Sequence, residues 1–179
     1  MLSRSLRLPL NRSCLLLGPR QTGKSTYMRA SLPANAWSVD LLHMRDSLRY
    51  LREPGLFLAE AKAHIERGVD TVFVDEVQKV PGILDEVHAL IERFGTRFLL
   101  TGSSARKLVR GGANMLAGRA AIRRLHPLTF EELGSRFDLQ RALLLGTLPP
   151  VATASHETAV DILRSYGDTY LREEIQAEA

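Results

Sequence analysis

Short apolar runs alternate along this chain with longer stretches in which apolar residues recur every third or fourth position. The runs are SCLLL (13–17), AWSVDL (36–41), TVFVD (71–75), RFLLT (97–101) and AAIRRL (120–125). An apolar run with little alternation reads as a strand buried on both faces. The longer stretches GKSTYMRASL, GLFLAEAKAHIERG and GILDEVHALIERFG read as helices. The first stops at Pro33, and the other two close on Gly68 and Gly95, residues suited to a helix C-terminus. Strands alternating with helices predict βαβ units, a parallel sheet and an α/β fold.

Beyond HPLTFEELG the pattern changes. DLQRALLLGTLPP reads as a helical stretch broken by Pro149 and Pro150, and residues 156–179 as one amphipathic helix running to the last residue. An apolar helix face must be buried against something. The expectation is a core over residues 1–135 and a helical extension over 136–179, the start of a further domain, with the missing domain or a partner protein covering that face.

Composition narrows the class. Of 179 residues, 45% are hydrophobic and 25% charged, the balance of a soluble globular protein. Lys and Arg exceed Asp and Glu by 24 to 20, a net charge of +4. That suits an anionic ligand but does not by itself argue for nucleic acid. Cys14 is the only cysteine, which leaves no disulfide framework or thiolate metal cluster and makes a reducing, cytoplasmic setting the default. No run approaches the ~18 apolar residues of a membrane span. MLSRSLRLPL has arginines and no acids, as transit peptides do, but folded sequence begins by Ser13, so it reads as a helix end or tail.

One segment carries strong chemistry. GPRQTGKST (18–26) fits G-x-x-x-x-G-K-[ST] and lies between a predicted strand and a predicted helix, the context this phosphate-binding loop needs. Gly18 and Gly23 let the backbone turn its N–H groups inward, and Pro19, Arg20 and Gln21 complete the loop. Lys24 reaches the β- and γ-phosphates, Ser25 offers a hydroxyl to Mg²⁺, and Thr22 and Thr26 add hydroxyl or amide contacts. Such a site needs a second strand end to hold its metal, and TVFVDE supplies one. Asp75 is the candidate metal carboxylate, and Glu76 is placed to orient or deprotonate a water attacking the γ-phosphate. RFLLTGSS ends a third strand on Thr101 and Ser103, hydroxyls suited to the γ-phosphate or to bonding their own turn.

Other side chains argue for less. The histidines at 43, 64, 88, 126 and 156 lack paired ligand spacing, so no zinc site is expected. His64 and His88 read as surface or packing residues, and Trp37 as core. RKLVRGG (106–112) is the best basic cluster, yet without interleaved aromatics it is weak support for nucleic acid.

With GPRQTGKST, VFVDEVQKVP, FLLTGSS and LAGRAAIRRLHPLTFEEL in this order, the chain resembles a prokaryotic AAA-like P-loop ATPase of the group that carries a C-terminal domain of unknown function. The resemblance covers residues 10 to 135, and SYGDTYLREEI looks like the opening of that further domain. It implies a three-layer P-loop NTPase sandwich with a five-stranded sheet in the order 5-1-4-3-2. It also implies ATP with Mg²⁺, Glu76 as catalytic carboxylate, Thr101 or Ser103 as sensor, and Gln78 in a DE-x-Q pattern. Arg119 matches an arginine of the family motif, suited to phosphate in its own subunit or in a neighbour of a homo-oligomer. The expected activity is ATP hydrolysis that drives or switches a partner process. A small-molecule kinase and a nucleotide-dependent module without turnover are the alternatives, while against a GTPase no N/T-K-x-D base-reading motif follows the sensor strand.

Overall fold

The computed structural model describes residues 2–103, 108, 116 and 118–171. Residues 106, 107 and 109–112 of the basic cluster, and most of the Gly-rich stretch before Arg119, lie outside the described residues. Two compact units divide the chain: Arg7–Leu125, and Met1–Leu6 with His126–Ala179.

In the larger unit the apolar runs become β1 (Ser13–Leu17), β2 (Trp37–Asp40), β3 (Thr71–Asp75), β4 (Arg97–Gly102) and β5 (Ala120–Arg124). They form one sheet in the order β2-β3-β4-β1-β5, every neighbour parallel, which is the expected 5-1-4-3-2 read from the other edge. The three inner strands are buried throughout, apart from Arg97 where β4 begins. That is why these runs show little alternation. The helices are α1 (Lys24–Arg29), α2 (Met44–Arg52), α3 (Pro54–Glu66) and α4 (Ile83–Phe94).

Leu15, Leu17, Val72, Val74, Phe98 and Leu100 join Phe57 and Ala61 of α3 and Ile83, Val87 and Leu90 of α4 in one cluster. Strand alternation turns Cys14, Leu16, Phe73 and Leu99 to the opposite face, where they too are fully buried. Trp37 is half-buried against the core and stacks on His64 at 4.6 Å between ring centroids, so both residues pack, as expected. Helix α2 went unread in the sequence. Its apolar Met44, Leu48 and Leu51 are exposed, and Tyr50 is its buried anchor.

In the smaller unit, α5 (Phe130–Leu133) starts with a capping box: Glu132 N–H donates to Thr129 Oγ1 at 3.3 Å and Thr129 N–H to Glu132 Oε2 at 3.1 Å. The other oxygen of Glu132 accepts from Arg4 Nε at 3.2 Å and Ser5 N–H at 2.7 Å. Next come α6 (Leu139–Leu145), α7 (Pro149–Ala152) and α8 (His156–Tyr166). Two expectations need correction here. Helix α6 ends before the prolines, at Gly146 with φ 74°, and Pro149–Pro150 open α7 because a first-turn residue has no intrahelical N–H bond to lose. The long terminal helix ends at Tyr166, and a π-helical turn follows over Gly167–Leu171; the rest of that segment lies outside the described residues.

Because all five strands run one way, their C-terminal ends emerge at one edge. Asp40 is the register partner of Asp75, Leu17 of Gly102, and Leu17 of Arg124. Leu125 N–H donates to Leu17 O at 2.8 Å, and the chain then passes so close that a Cβ on Gly18 would lie 2.1 Å from the Leu125 carbonyl oxygen. Gly18→Ala is therefore expected to lower stability by about 1–3 kcal/mol, the usual cost of overpacking. Gly23→Ala meets no atom within 4 Å, and its cost comes only from φ 87°. Chemical denaturation of the two variants checks that Gly18→Ala is the worse.

Candidate functional site

Open α/β sheets bind ligands outside the carboxyl ends of their strands. Here the loops after β1, β3 and β4 meet at that edge, and they carry the polar residues singled out above. The glycine loop turns through Gln21 at φ 63° and Gly23 at φ 87°, left-handed conformations that bend it sharply before α1 begins at Lys24. Thr22 is fully buried and its hydroxyl donates to Pro19 O at 2.8 Å, closing the loop on itself. Lys24 curls back and donates to Gly18 O and Pro19 O, each at 2.8 Å. With 4% exposure its ammonium is disfavoured by burial, which pulls its pKa below the ordinary lysine value. Glu76 and Asp75 push the other way, and Arg20 adds to the depression. Thr26 is exposed on α1.

Asp75 is the hub. It is fully buried, and its Oδ1 accepts from Ser25 Oγ at 2.8 Å and from the Thr101 hydroxyl. Thr101 in turn accepts from Glu76 N–H at 2.9 Å. One hydroxyl thus fixes the end of β3 from β4, holding the carboxylate of one acid and the backbone of the next. Both bonding directions of Thr101 are spent inside the protein, and the side chain is fully buried.

Glu76 sits at φ 57°, ψ 48°, a left-handed conformation that costs a non-glycine residue energy and is often found where function requires it. Its carboxylate accepts from the Gln78 amide, which also donates to Ser103 Oγ at 2.8 Å. Ser103 N–H returns a bond to Gln78 Oε1 at 3.3 Å. Gly102 makes this fit possible, since a Cβ there would lie 3.1 Å from Gln78 Oε1.

The oxygen donors Ser25 and Asp75 suit Mg²⁺, which prefers hard oxygen ligands, keeps several waters and takes one or two carboxylates together with phosphates. Among the described residues no group of three or more His, Cys, Asp or Glu side chains could hold a metal unaided. The pair fits an ion that arrives with phosphate oxygens.

Arg119 is not brought to this edge. It precedes Ala120, the register partner of Ser13 at the start of β1, so the length of β5, roughly 17 Å at about 3.3 Å per residue, separates it from the glycine loop. There it ion-pairs with Glu92 of α4. Sequence reasoning missed Arg29. Four residues after Ser25 on α1, it shares that helix face and donates to Asp75 Oδ2 at 3.2 Å and Asp40 Oδ2 at 2.9 Å. The i, i+4 spacing from Ser25 was the available signal.

Among the described residues no helix is long and apolar enough to cross a membrane. Residues 10–134 match the family model described as AAA domain. The chain is also similar to two proteins, from Mycobacterium bovis and Mycobacterium tuberculosis, each named only as an uncharacterized protein. Identity to each is 33% over 176 residues, 95% of this chain and 38% of the relative, so the chain spans about two-fifths of their length. With the family match running from before the glycine loop to beyond the last strand, the chain belongs to the AAA domain family, as an AAA-like P-loop ATPase module.

Proposed function

We propose that this chain binds MgATP and hydrolyses it to ADP and phosphate, and that the bound state or its loss switches a partner protein or a further domain. The observation that carries the reading is the chain of hydrogen bonds from Ser25 through Asp75 and Thr101 to the Glu76 backbone, built around the opening of α1. In this reading Lys24 leaves the carbonyls of Gly18 and Pro19 for the phosphates, exchanging neutral acceptors for charged ones. Residues Gly18 to Thr26 cradle the phosphates with their N–H groups, except Pro19, which has none to give. Ser25 and Asp75 would hold the Mg²⁺, which would supply positive charge against the phosphates. Glu76 accepts a proton from the attacking water or orients it. Thr101 keeps the two acids in place, and Gln78 links Glu76 to Ser103 at the third strand end. Arg119 contributes nothing to its own subunit's phosphates; a homo-oligomer would have to bring it to a neighbour's.

A second reading is a nucleotide-dependent module without turnover. It is favoured by one fact: the Glu76 carboxylate is already engaged by Gln78.

Three outcomes are expected. Glu76→Gln keeps affinity for a fluorescent ATP analogue and loses turnover by about 10²-fold or more, whereas Lys24→Ala loses both; equal phosphate release by wild type and Glu76→Gln would remove Glu76 from the mechanism. With γ-labelled ATP, thin-layer analysis finds the label in free phosphate, and label in a metabolite would make the protein a kinase. Thr101→Val strips Asp75 of a donor and leaves the Glu76 N–H unpaired, costing about 1–3 kcal/mol in denaturation. It is expected to lower kcat more than ATP affinity.

A further inference from the structure

Asp75 and Asp40 are register partners on adjacent parallel strands, so their side chains leave the sheet on the same face, about 5 Å apart. Asp75 is fully buried, and the Asp40 side chain is 24% exposed. Two carboxylates so placed, one without water, require a proton or a cation between them. The cation present is Arg29, whose Nη2 lies 2.9 Å from Asp40 Oδ2 and 3.2 Å from Asp75 Oδ2. Its guanidinium is further seated over the ring of Phe73, 5.5 Å from the centroid. Phe73 is two residues before Asp75 on the same strand, hence on the same face. Arg29 therefore closes the Oδ2 side of Asp75, while Ser25 and Thr101 occupy Oδ1.

We infer that Arg29 is a resident counter-cation that makes divalent-metal binding conditional on nucleotide. The inference rests on the reading of Asp75 as the metal-site carboxylate. With Arg29 in place, the nucleotide-free site has one net negative charge across the Arg29–Asp40–Asp75 cluster and its second carboxylate is taken. A metal then needs phosphate oxygens to complete its shell. Without Arg29, two carboxylates and the Ser25 hydroxyl form an oxygen donor set that attracts a divalent ion by itself.

The test is Mn²⁺ binding to the nucleotide-free 179-residue chain, followed by electron paramagnetic resonance. Wild type and Arg29→Lys are expected to bind Mn²⁺ weakly, and Arg29→Met about tenfold or more tighter. The double variant Arg29→Met/Asp40→Asn returns to the wild-type level, because the second carboxylate is gone. An Arg29→Met affinity equal to wild type, or a gain that survives in the double variant, overturns the inference. Should Arg29→Met fail to fold, Asp40→Asn decides, since its amide oxygen can still accept from Leu42 N–H as Asp40 Oδ1 does at 2.9 Å. Losing Asp40 takes the cluster from one net negative charge to zero, so the Mg²⁺ needed to half-saturate binding of a fluorescent ATP analogue rises about threefold or more; an unchanged requirement overturns the inference. Wild-type binding of that analogue tests the nucleotide reading separately, and the Mn²⁺ comparison requires no nucleotide.

Discussion

A carboxylate taken wholly out of water is tolerated only when its charge is answered, and Asp75 is such a group at the centre of this sheet edge. Its partners come from α1 and β4, and the second carboxylate sharing Arg29 from β2. Ser25 and Arg29 share α1, so the one charge fastens together four elements, α1, β2, β3 and β4. Removing any single partner leaves a buried charge less compensated, which costs more than one surface hydrogen bond.

The parallel sheet makes this convergence possible. Parallel strands deliver all their C-terminal ends to one edge, and the order β2-β3-β4-β1-β5 sets the end of β4 between the glycine loop and the end of β3. Thr101 can therefore donate to Asp75 and accept from Glu76 N–H. The same directionality takes Arg119 away: a residue preceding β5 lies at the opposite edge, where Glu92 answers its charge. Among the described residues, left-handed non-glycine backbone occurs at Gln21 and Glu76 in the site's turns and at Leu116 ahead of β5. The surrounding strands, buried on both faces, hold those turns in place.

Where sequence reading fell short, the cause is local. Pro149 and Pro150 look like breakers because proline cannot sit inside a helix, but the same chemistry lets them begin one, and Gly146 had already ended the helix before them. Helix α2 carries its apolar residues outward and anchors through Tyr50, whose hydroxyl donates to Glu60 Oε2 at 2.5 Å. Met44, Leu48 and Leu51 do recur at helical spacing, but Arg45, Asp46, Arg49 and Arg52 make the segment polar as a whole and mask that pattern. The amphipathic pattern after Ser155 is sound as far as Tyr166, where the chain switches to a wider turn at Gly167.

The sequence by itself determined the strands, the glycine loop and the acids after TVFV, because runs buried on both faces and phosphate-binding loops impose residue types on contiguous positions. Pairing between distant positions leaves no such local imprint. That Thr101 serves both acids, that Gln78 ties Glu76 to Ser103, and that Arg29 is shared by Asp40 and Asp75 was decided by the tertiary structure. The physical reason is that a buried charge is satisfied by whatever donors the strand order brings within about 3 Å, and strand order is a property of the folded sheet.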